Sequence, residues 1–204
     1  MRQPTLFLPH GGGPWPFVDV MGGPEAWADL RAFLAALPAS LPEPPRALLV
    51  ISAHWEAPKP SLTIAQNPPL LYDYYGFPPA AYDVQWPAPG DPDLAKRVRA
   101  LLADAGLDSA DEAVRGFDHG TFVPLAVAWP APTIPTVQLS LIRGLDPGAH
   151  LALGAALRPL RDEGVLIIGS GMSYHHMRGF GTAQGEEDSR VFDRWLGATV
   201  ASPP

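Results

Sequence analysis

The stretch that decides the fold is RALLVISAH, residues 46–54, an apolar run that ends at a histidine. An apolar run with no polar alternation, bounded by turn residues, is typical of a strand buried on both faces. Similar runs occur in PTLFLP (4–9) and GVLIIGSG (164–171), and TIPTVQLSL (133–141) is a further candidate strand. Strands of this kind need helices on both sides, so the pattern predicts a mainly parallel central sheet.

Helical segments are predicted between and after these strands, over 24–38, 91–106, 146–159 and 188–200. The clearest is 91–106, because Asp91 is a favourable N-cap and Gly106 suits the turn that ends a helix. Residues 55–90 are rich in proline and aromatic residues and are expected to form a long irregular loop. The sequence therefore predicts an α/β fold, a single domain over 1–204 with a mainly parallel central sheet flanked by helices on both faces.

Composition limits the classes of partner and of metal ligand. The 204 residues carry a net charge of −7 and no basic run, so we expect neither nucleic acid nor a membrane surface as partner. No apolar stretch approaches the roughly 20 residues of a membrane span, and the N-terminus lacks the pattern of a signal peptide, so a cytoplasmic location is expected. Cysteine is absent, so a metal site would have to use histidine or carboxylate ligands.

Histidines stand at or just after the ends of three predicted strands. His10 follows the first strand, His54 ends the second, and His175 and His176 follow GVLIIGSG. The carboxyl ends of parallel strands share one edge of the sheet, where ligands bind in open α/β folds. Two or three imidazoles at that edge would suit Zn²⁺ or Fe²⁺. The alternative for each is a histidine hydrogen-bonded to backbone, and at most one of the adjacent pair should face an ion.

A further histidine, His119, lies in RGFDHGTFVPL. Asp118 precedes it and is a candidate to fix its tautomer. The alternative is a loop histidine that caps the element beginning near Thr121. Asp73, Asp83 and Asp118 are candidate carboxylate ligands, although each lies beside aromatic or turn residues and could equally cap a loop.

Five segments in order resemble the class III extradiol ring-cleavage dioxygenases, and within them the DOPA 4,5-dioxygenase branch. They are LPHGGGP (8–14), VISAHWE (50–56), YDYYGFPPAAYDVQWPAPG (72–90), GFDHGTFVPL (116–125) and IGSGMSYHHMR (168–178). Any one of them is a weak signal, whereas five at comparable spacing are specific.

The resemblance implies a non-haem Fe(II) site, with Zn(II) as the alternative metal. It implies that His10 and His54 are metal ligands and that His175 is either a further ligand or the acid–base residue. It places His119 in the substrate pocket, where His119 or His175 would transfer a proton. Tyr75 and Trp15, in or beside these motifs, are candidates for binding a flat substrate, with anchoring of loops as the alternative for such aromatic residues.

The function implied is cleavage of the aromatic ring of a catechol, DOPA-like, with O₂. Members of the branch carry a further C-terminal segment whose histidine completes the metal site, and we expect that this chain lacks that segment by truncation. A zinc-dependent hydrolase and a non-catalytic binding protein on the same fold remain alternatives, and a homo-oligomer stays open. Every one of these hypotheses that includes a metal ion requires the side chains of His10 and His54 to lie within about 7 Å of each other.

Overall fold

The computed structural model describes residues 1–19 and 23–202, with a central sheet as the main feature. Strands lie at Thr5–Leu8 (β1), Ala47–Ala57 (β2), Ser61–Thr63 (β3), Leu70–Leu71 (β4), Ala110–Glu112 (β5), Phe117–Asp118 (β6), Thr136–Ile142 (β7) and Val165–Ser170 (β8). The sheet has the order β1-β8-β2-β7-β3-β5, and β4 pairs separately with β6. The four strands β1, β8, β2 and β7 are parallel neighbours, and β3 joins β7 in antiparallel orientation. The predicted mainly parallel sheet is therefore confirmed.

The described chain has five α-helices, Ala28–Ser40 (α1), Pro92–Asp104 (α2), His119–Ala128 (α3), Pro147–Leu157 (α4) and Ala183–Ala201 (α5). The first four, α1–α4, cover both faces of the sheet. Alternate residues of β2 point to opposite faces, as the pleat requires. Leu48 and Val50 join a core cluster with residues of α1 and α3, whereas Ala47 and Leu49 join a second cluster with residues of α2 and α4. The predicted covering of both faces is confirmed.

Helix boundaries follow local capping chemistry. The carboxylate of Asp91 accepts a hydrogen bond from the backbone N–H of Leu94 at 2.9 Å, and that of Asp146 accepts one from Ala149 at 2.7 Å. These contacts satisfy N–H groups that have no partner inside the helix. The first helix differs from expectation: a short 3₁₀ turn, Pro24–Trp27, precedes α1, which continues through Pro38 to Ser40.

The long segment 55–90 is less irregular than predicted. It contains β3, β4 and a 3₁₀ turn at Pro79–Tyr82, and its two short strands are too brief to show a period in the sequence. Similarly, α5 begins at Ala183, where Thr182 accepts a hydrogen bond from the backbone N–H of Gly185 at 3.1 Å. The predicted start at 188 was too late because the first turn is polar and lacks an apolar period.

The chain divides into two compact units, Met1–Gly171 and Met172–Pro204. The first contains the sheet and α1–α4. In the described part of the second, a 3₁₀ turn at Met177–Gly179 precedes α5, and the aromatic rings of Tyr174, Phe192 and Trp195 pack in sequence. None of the helices in the described ranges combines the length and the apolar character that a membrane span needs.

Candidate metal centre

His10 is held rigidly just beyond the end of β1. The chain turns at Gly11, whose φ of +77° lies in the region that glycine tolerates, and a Cβ there would overlap the indole of Trp15. That indole is fully buried and donates a hydrogen bond from Nε1 to the carbonyl oxygen of His10. The ring of His10 is itself buried, and its Nδ1 lies 3.3 Å from the hydroxyl of Ser170 at the end of β8. Gly11 thus leaves the space that the indole of Trp15 needs to bond to the backbone of His10.

His54 lies within β2 rather than at its end, in a segment that leaves the sheet register. Pairing of β2 with β7 runs to Ile51 and resumes at Glu56, so five steps along β2 match two steps along β7, from Leu139 to Leu141. Such a bulge changes the direction of a side chain at the rim of a sheet. The imidazole of His54 is partly exposed, and its backbone N–H donates to Ser52 Oγ at 3.2 Å.

His119 reaches the same place through a second pair of strands. It is the first residue of α3 and directly follows β6, which pairs in parallel with β4 so that Leu71 faces Asp118. Asp73 comes two residues after β4 and is therefore carried to the start of α3. One oxygen of its carboxylate accepts from the backbone N–H of His119 at 2.9 Å and lies 2.7 Å from its Nδ1.

The three imidazoles form one cluster. The Nε2 atoms of His10 and His54 are 3.1 Å apart, and one ring nitrogen from each of His10, His54 and His119 lies within 4.8 Å of the other two. Two nitrogens bonded to one ion at about 2.0–2.2 Å can be at most about 4.4 Å apart, so the His10–His54 pair fits a shared ion. Neutral imidazoles are suitable ligands for Zn²⁺ and Fe²⁺. The residues present therefore fit a metal of this class.

The carboxylate of Asp73 is kept ionised by this arrangement. Burial raises its pKa, but the hydrogen bonds and the charge interaction from His119, with a smaller contribution from His54, outweigh burial and hold the pKa below the usual range. The other oxygen of the carboxylate lies 3.6 Å from Nδ1 of His54. The Asp73 carboxylate thus places one negative charge beside the Nδ1 atoms of both His119 and His54.

Asp118, the predicted tautomer-fixing partner of His119, has a different environment. Its fully buried carboxylate accepts from Ser52 Oγ at 2.6 Å, from Arg115 Nη2 at 3.1 Å and from Nε2 of Gln138. The expectation for Asp118 is corrected here, because Asp73, named in the sequence as a candidate ligand, occupies the position beside the Nδ1 of His119. The sequence did not single out Ser170, whose one signal is its place as the last residue of a buried strand.

The other predicted site residues lie in varied surroundings. Trp15 is buried beneath His10 and stacks on Trp27 with ring centroids 5.4 Å apart, which makes it an anchor of the backbone. Tyr75 is 89% exposed, whereas its neighbour Tyr74 is buried and packs edge-on against His119 at 5.6 Å. Burial also raises the pKa of Tyr74 well above its ordinary value. Contact of Trp15 or Tyr75 with a substrate stays a prediction.

His175 belongs to the second compact unit, in an exposed segment before the turn at Met177–Gly179. The cluster of three imidazoles lies in the first unit and is formed without it. The roles inferred for His175, as a ligand or an acid–base residue, rest on the resemblance of its motif and stay predictions. Within the first unit, the third imidazole beside His10 and His54 is that of His119.

Comparison with known proteins agrees with the geometry. A family model described as the catalytic LigB subunit of aromatic ring-opening dioxygenase matches residues 5–200. The chain is 41% identical over 194 residues to dioxygenase tasH of Hapsidospora irregularis, covering 92% of this chain and 59% of that protein. It is 45% identical over 158 residues to a 4,5-DOPA dioxygenase extradiol of Beta vulgaris, covering 74% of this chain and 58% of the relative.

A solved structure shows the same fold. The crystal structure of an uncharacterized protein from Escherichia coli K12 superimposes with a TM-score of 0.62 at 33% identity, covering 87% of this chain and 63% of that one. The chain thus spans about three fifths of the length of these relatives. Since the family model covers nearly all of the described residues, the chain belongs to the family of the catalytic LigB subunit of aromatic ring-opening dioxygenase, the class III extradiol enzymes.

Proposed function

We propose that this chain carries the metal centre of a non-haem dioxygenase that opens the aromatic ring of a catechol, with O₂ as the second substrate. The observation that carries the proposal is the approach of the Nε2 atoms of His10 and His54 to 3.1 Å, with His119 beside them, in a chain of this family. Several relatives are named 4,5-DOPA dioxygenase extradiol, which supports a DOPA-like catechol as the substrate class.

His10 and His54 are the proposed ligands, and Fe(II) is the proposed metal, with Zn(II) as the alternative. Bound Fe(II) would lower the pKa of a coordinated phenol and would allow electrons to pass between catecholate and O₂, which redox-inert Zn²⁺ does not do. The backbone of His10 is fixed by Trp15, and its ring by Ser170. These contacts fix the orientation of the His10 ring, and with it the direction of the lone pair on Nε2, before a metal binds.

His119 is the proposed proton-transfer residue, and we expect it to lie next to the bound substrate. Its Nδ1 is 2.7 Å from the carboxylate of Asp73, which accepts the ring proton there and leaves Nε2 with a lone pair. An imidazole in this tautomer can take a proton from a catechol hydroxyl and return it later, as general acid–base catalysis requires. His175 is proposed as a second acid–base residue or further ligand on the resemblance of its motif.

The test begins with the metal content of the purified protein. Protein reconstituted anaerobically with Fe²⁺ and then given L-DOPA or catechol in air should consume O₂ and form a yellow ring-opened product. His54→Ala should abolish both signals. His150→Gln is the matched control, since His150 bonds to backbone at Ile142 and Asp146, away from the cluster, and this variant should retain both signals.

Three outcomes would contradict the proposal. If Zn²⁺-loaded protein consumed O₂ as fast as Fe²⁺-loaded protein, the redox role of the metal would be wrong. Stoichiometric zinc with hydrolysis and no O₂ uptake would indicate a zinc-dependent hydrolase, and an absence of metal binding would indicate a binding protein. A cytoplasmic location and the absence of nucleic-acid and membrane partners are proposed from composition alone.

A further inference from the structure

We propose that Asp73 is a positioning residue that sets the tautomers of two imidazoles at once, those of His119 and His54. This inference rests on the proposed metal centre, because it assigns Asp73 the task of presenting Nε2 of both rings to the ion and the substrate. Asp73 itself contacts neither the ion nor the substrate and acts through the two histidines.

The geometry gives each oxygen of the carboxylate a separate ring. One oxygen lies 2.7 Å from Nδ1 of His119 and also accepts the backbone N–H of that residue at 2.9 Å. The second oxygen lies 3.6 Å from Nδ1 of His54, beyond hydrogen-bond distance, so it acts on that ring through its charge, which favours a proton on the facing Nδ1. The ring centroids of His54 and His119 are only 4.0 Å apart, so one carboxylate is able to face both rings.

An ionised carboxylate has acceptors on both oxygens and no donor. A neutral imidazole beside such an acceptor carries its proton on the facing nitrogen, here Nδ1, and keeps the lone pair on Nε2. Metal-bound histidines commonly have a carboxylate in this position, which fixes the ring and raises its basicity as a ligand. Sharing one carboxylate between two rings means that a change at residue 73 acts on both.

Backbone structure holds Asp73 in place. Its backbone N–H donates to the carbonyl of Leu71 at 3.0 Å, directly after β4. Because β4 pairs with β6 immediately before His119, the carboxylate and the start of α3 belong to one short parallel pair of strands. The side chain of Asp73 is therefore positioned by the same backbone pairing that positions His119.

The substitution Asp73→Asn tests this inference sharply because it keeps the shape of the side chain. The amide has one acceptor oxygen and one NH₂ donor, so it can accept from only one of the two rings. If the oxygen faces His119, the NH₂ group faces Nδ1 of His54 and favours the tautomer protonated on Nε2. If the amide is flipped, His119 receives that change. Asp83→Asn is the matched control, because Asp83 is an exposed carboxylate in the same segment of the chain.

Two measurements are made on the 204-residue chain. Long-range ¹H–¹⁵N spectra of histidine-labelled protein should show the Nδ1–H tautomer for His119 in the metal-free chain, and for His54 once Zn²⁺ replaces the proton shared between Nε2 of His54 and His10. In Asp73→Asn, either His119 should shift toward Nε2–H or the change should appear at His54 as weaker Zn²⁺ binding. Titration with Zn²⁺, a redox-inert probe, should show an affinity about 10–100-fold lower in that variant. Asp83→Asn should resemble the original chain in both measurements.

The outcomes separate this inference from the proposed function. Unchanged tautomers and unchanged Zn²⁺ affinity in a folded Asp73→Asn variant would overturn the role of Asp73. A tautomer shift in a chain that binds no metal would uphold the positioning role and refute the metal centre. Asp73→Glu, which keeps the charge and both acceptor oxygens, should recover part of the lost Zn²⁺ affinity, and equal loss in the Glu and Asn variants would contradict the role assigned to the ionised carboxylate.

Discussion

The buried carboxylate of Asp118 yields the most quantitative expectation, for the substitution Asp118→Asn. The carboxylate has no exposed surface and accepts from three donors, Ser52 Oγ at 2.6 Å, Arg115 Nη2 at 3.1 Å and Gln138 Nε2. An amide offers one acceptor oxygen, so its NH₂ group must face at least one of these donors. A hydrogen bond to a charged group then disappears and a buried donor loses its partner.

The magnitude follows from these contacts. A hydrogen bond to a charged group contributes about 1.5–3 kcal/mol, and an unsatisfied buried group costs about 1–3 kcal/mol. Arg115 is 23% exposed and can turn to water, so the larger part of the cost falls on the buried partners Ser52 and Gln138. We therefore expect Asp118→Asn to lower the free energy of unfolding by about 2–4 kcal/mol, a large fraction of the stability typical of a domain.

The assay is urea-induced unfolding of metal-free protein, followed by tryptophan fluorescence. Asp93→Asn is the control, since its side chain is 91% exposed, and it should change the free energy of unfolding by less than about 0.5 kcal/mol. Ser52→Ala removes one donor only and should cost about 1–2 kcal/mol, which gives a measurable value even if the Asn variant does not fold. If Asp118→Asn lowered the free energy of unfolding by less than about 1 kcal/mol, the argument that its three donors need a carboxylate acceptor would be refuted.

Three further expectations concern neighbouring positions. In Gly120→Ala the added Cβ would lie 2.5 Å from Ser52 Oγ, which should lower the free energy of unfolding by about 1–3 kcal/mol. Adding Ser52→Gly should recover part of this loss, and no recovery in urea unfolding would contradict the contact. Ser170→Ala removes the hydroxyl beside Nδ1 of His10 and should weaken Zn²⁺ binding about tenfold by titration, whereas unchanged affinity would show that Ser170 does not orient the ring. Burial raises the pKa of Tyr72 in the folded protein, so this phenol ionises at lower pH in the unfolded chain than in the folded one. The free energy of unfolding should therefore fall as the pH rises above about 10, and it should fall less steeply in Tyr72→Phe. Equal slopes for the two proteins in urea unfolding at pH 9–11 would disprove this.

Much of the fold could be predicted from local patterns. The strands β2 and β8 are apolar runs buried on both faces, and such runs identify the centre of a parallel sheet without knowledge of their partners. The N-caps Asp91 and Asp146 were predictable because capping depends on residues three positions apart. Sequence patterns of this kind work where structure depends on near neighbours.

The site was only partly predictable because its contacts are distant in sequence. His10 and His54 could be identified at the ends of predicted strands, but β2 continues past His54 to Ala57, and the bulge that reorients the His54 side chain depends on pairing with β7. Asp118 was the natural expectation as partner of His119 because the two residues are adjacent. Adjacent residues of an extended segment point in different directions, however, and the partner is Asp73, 46 positions away.

The segment Phe117–Gly120 explains why stability and chemistry are coupled in this protein. Phe117 packs against Trp86 in the core, and His119 belongs to the imidazole cluster. Between them, the side chain of Asp118 points into the buried polar network that it forms with Ser52, Arg115 and Gln138. Gly120 leaves the space that Ser52 and His54 occupy. A change at any of these four positions therefore alters the core and the cluster together. Asp73 reaches the same cluster from the segment after β4, so it is a position at which an effect on the imidazoles can be measured apart from an effect on the buried network of Asp118.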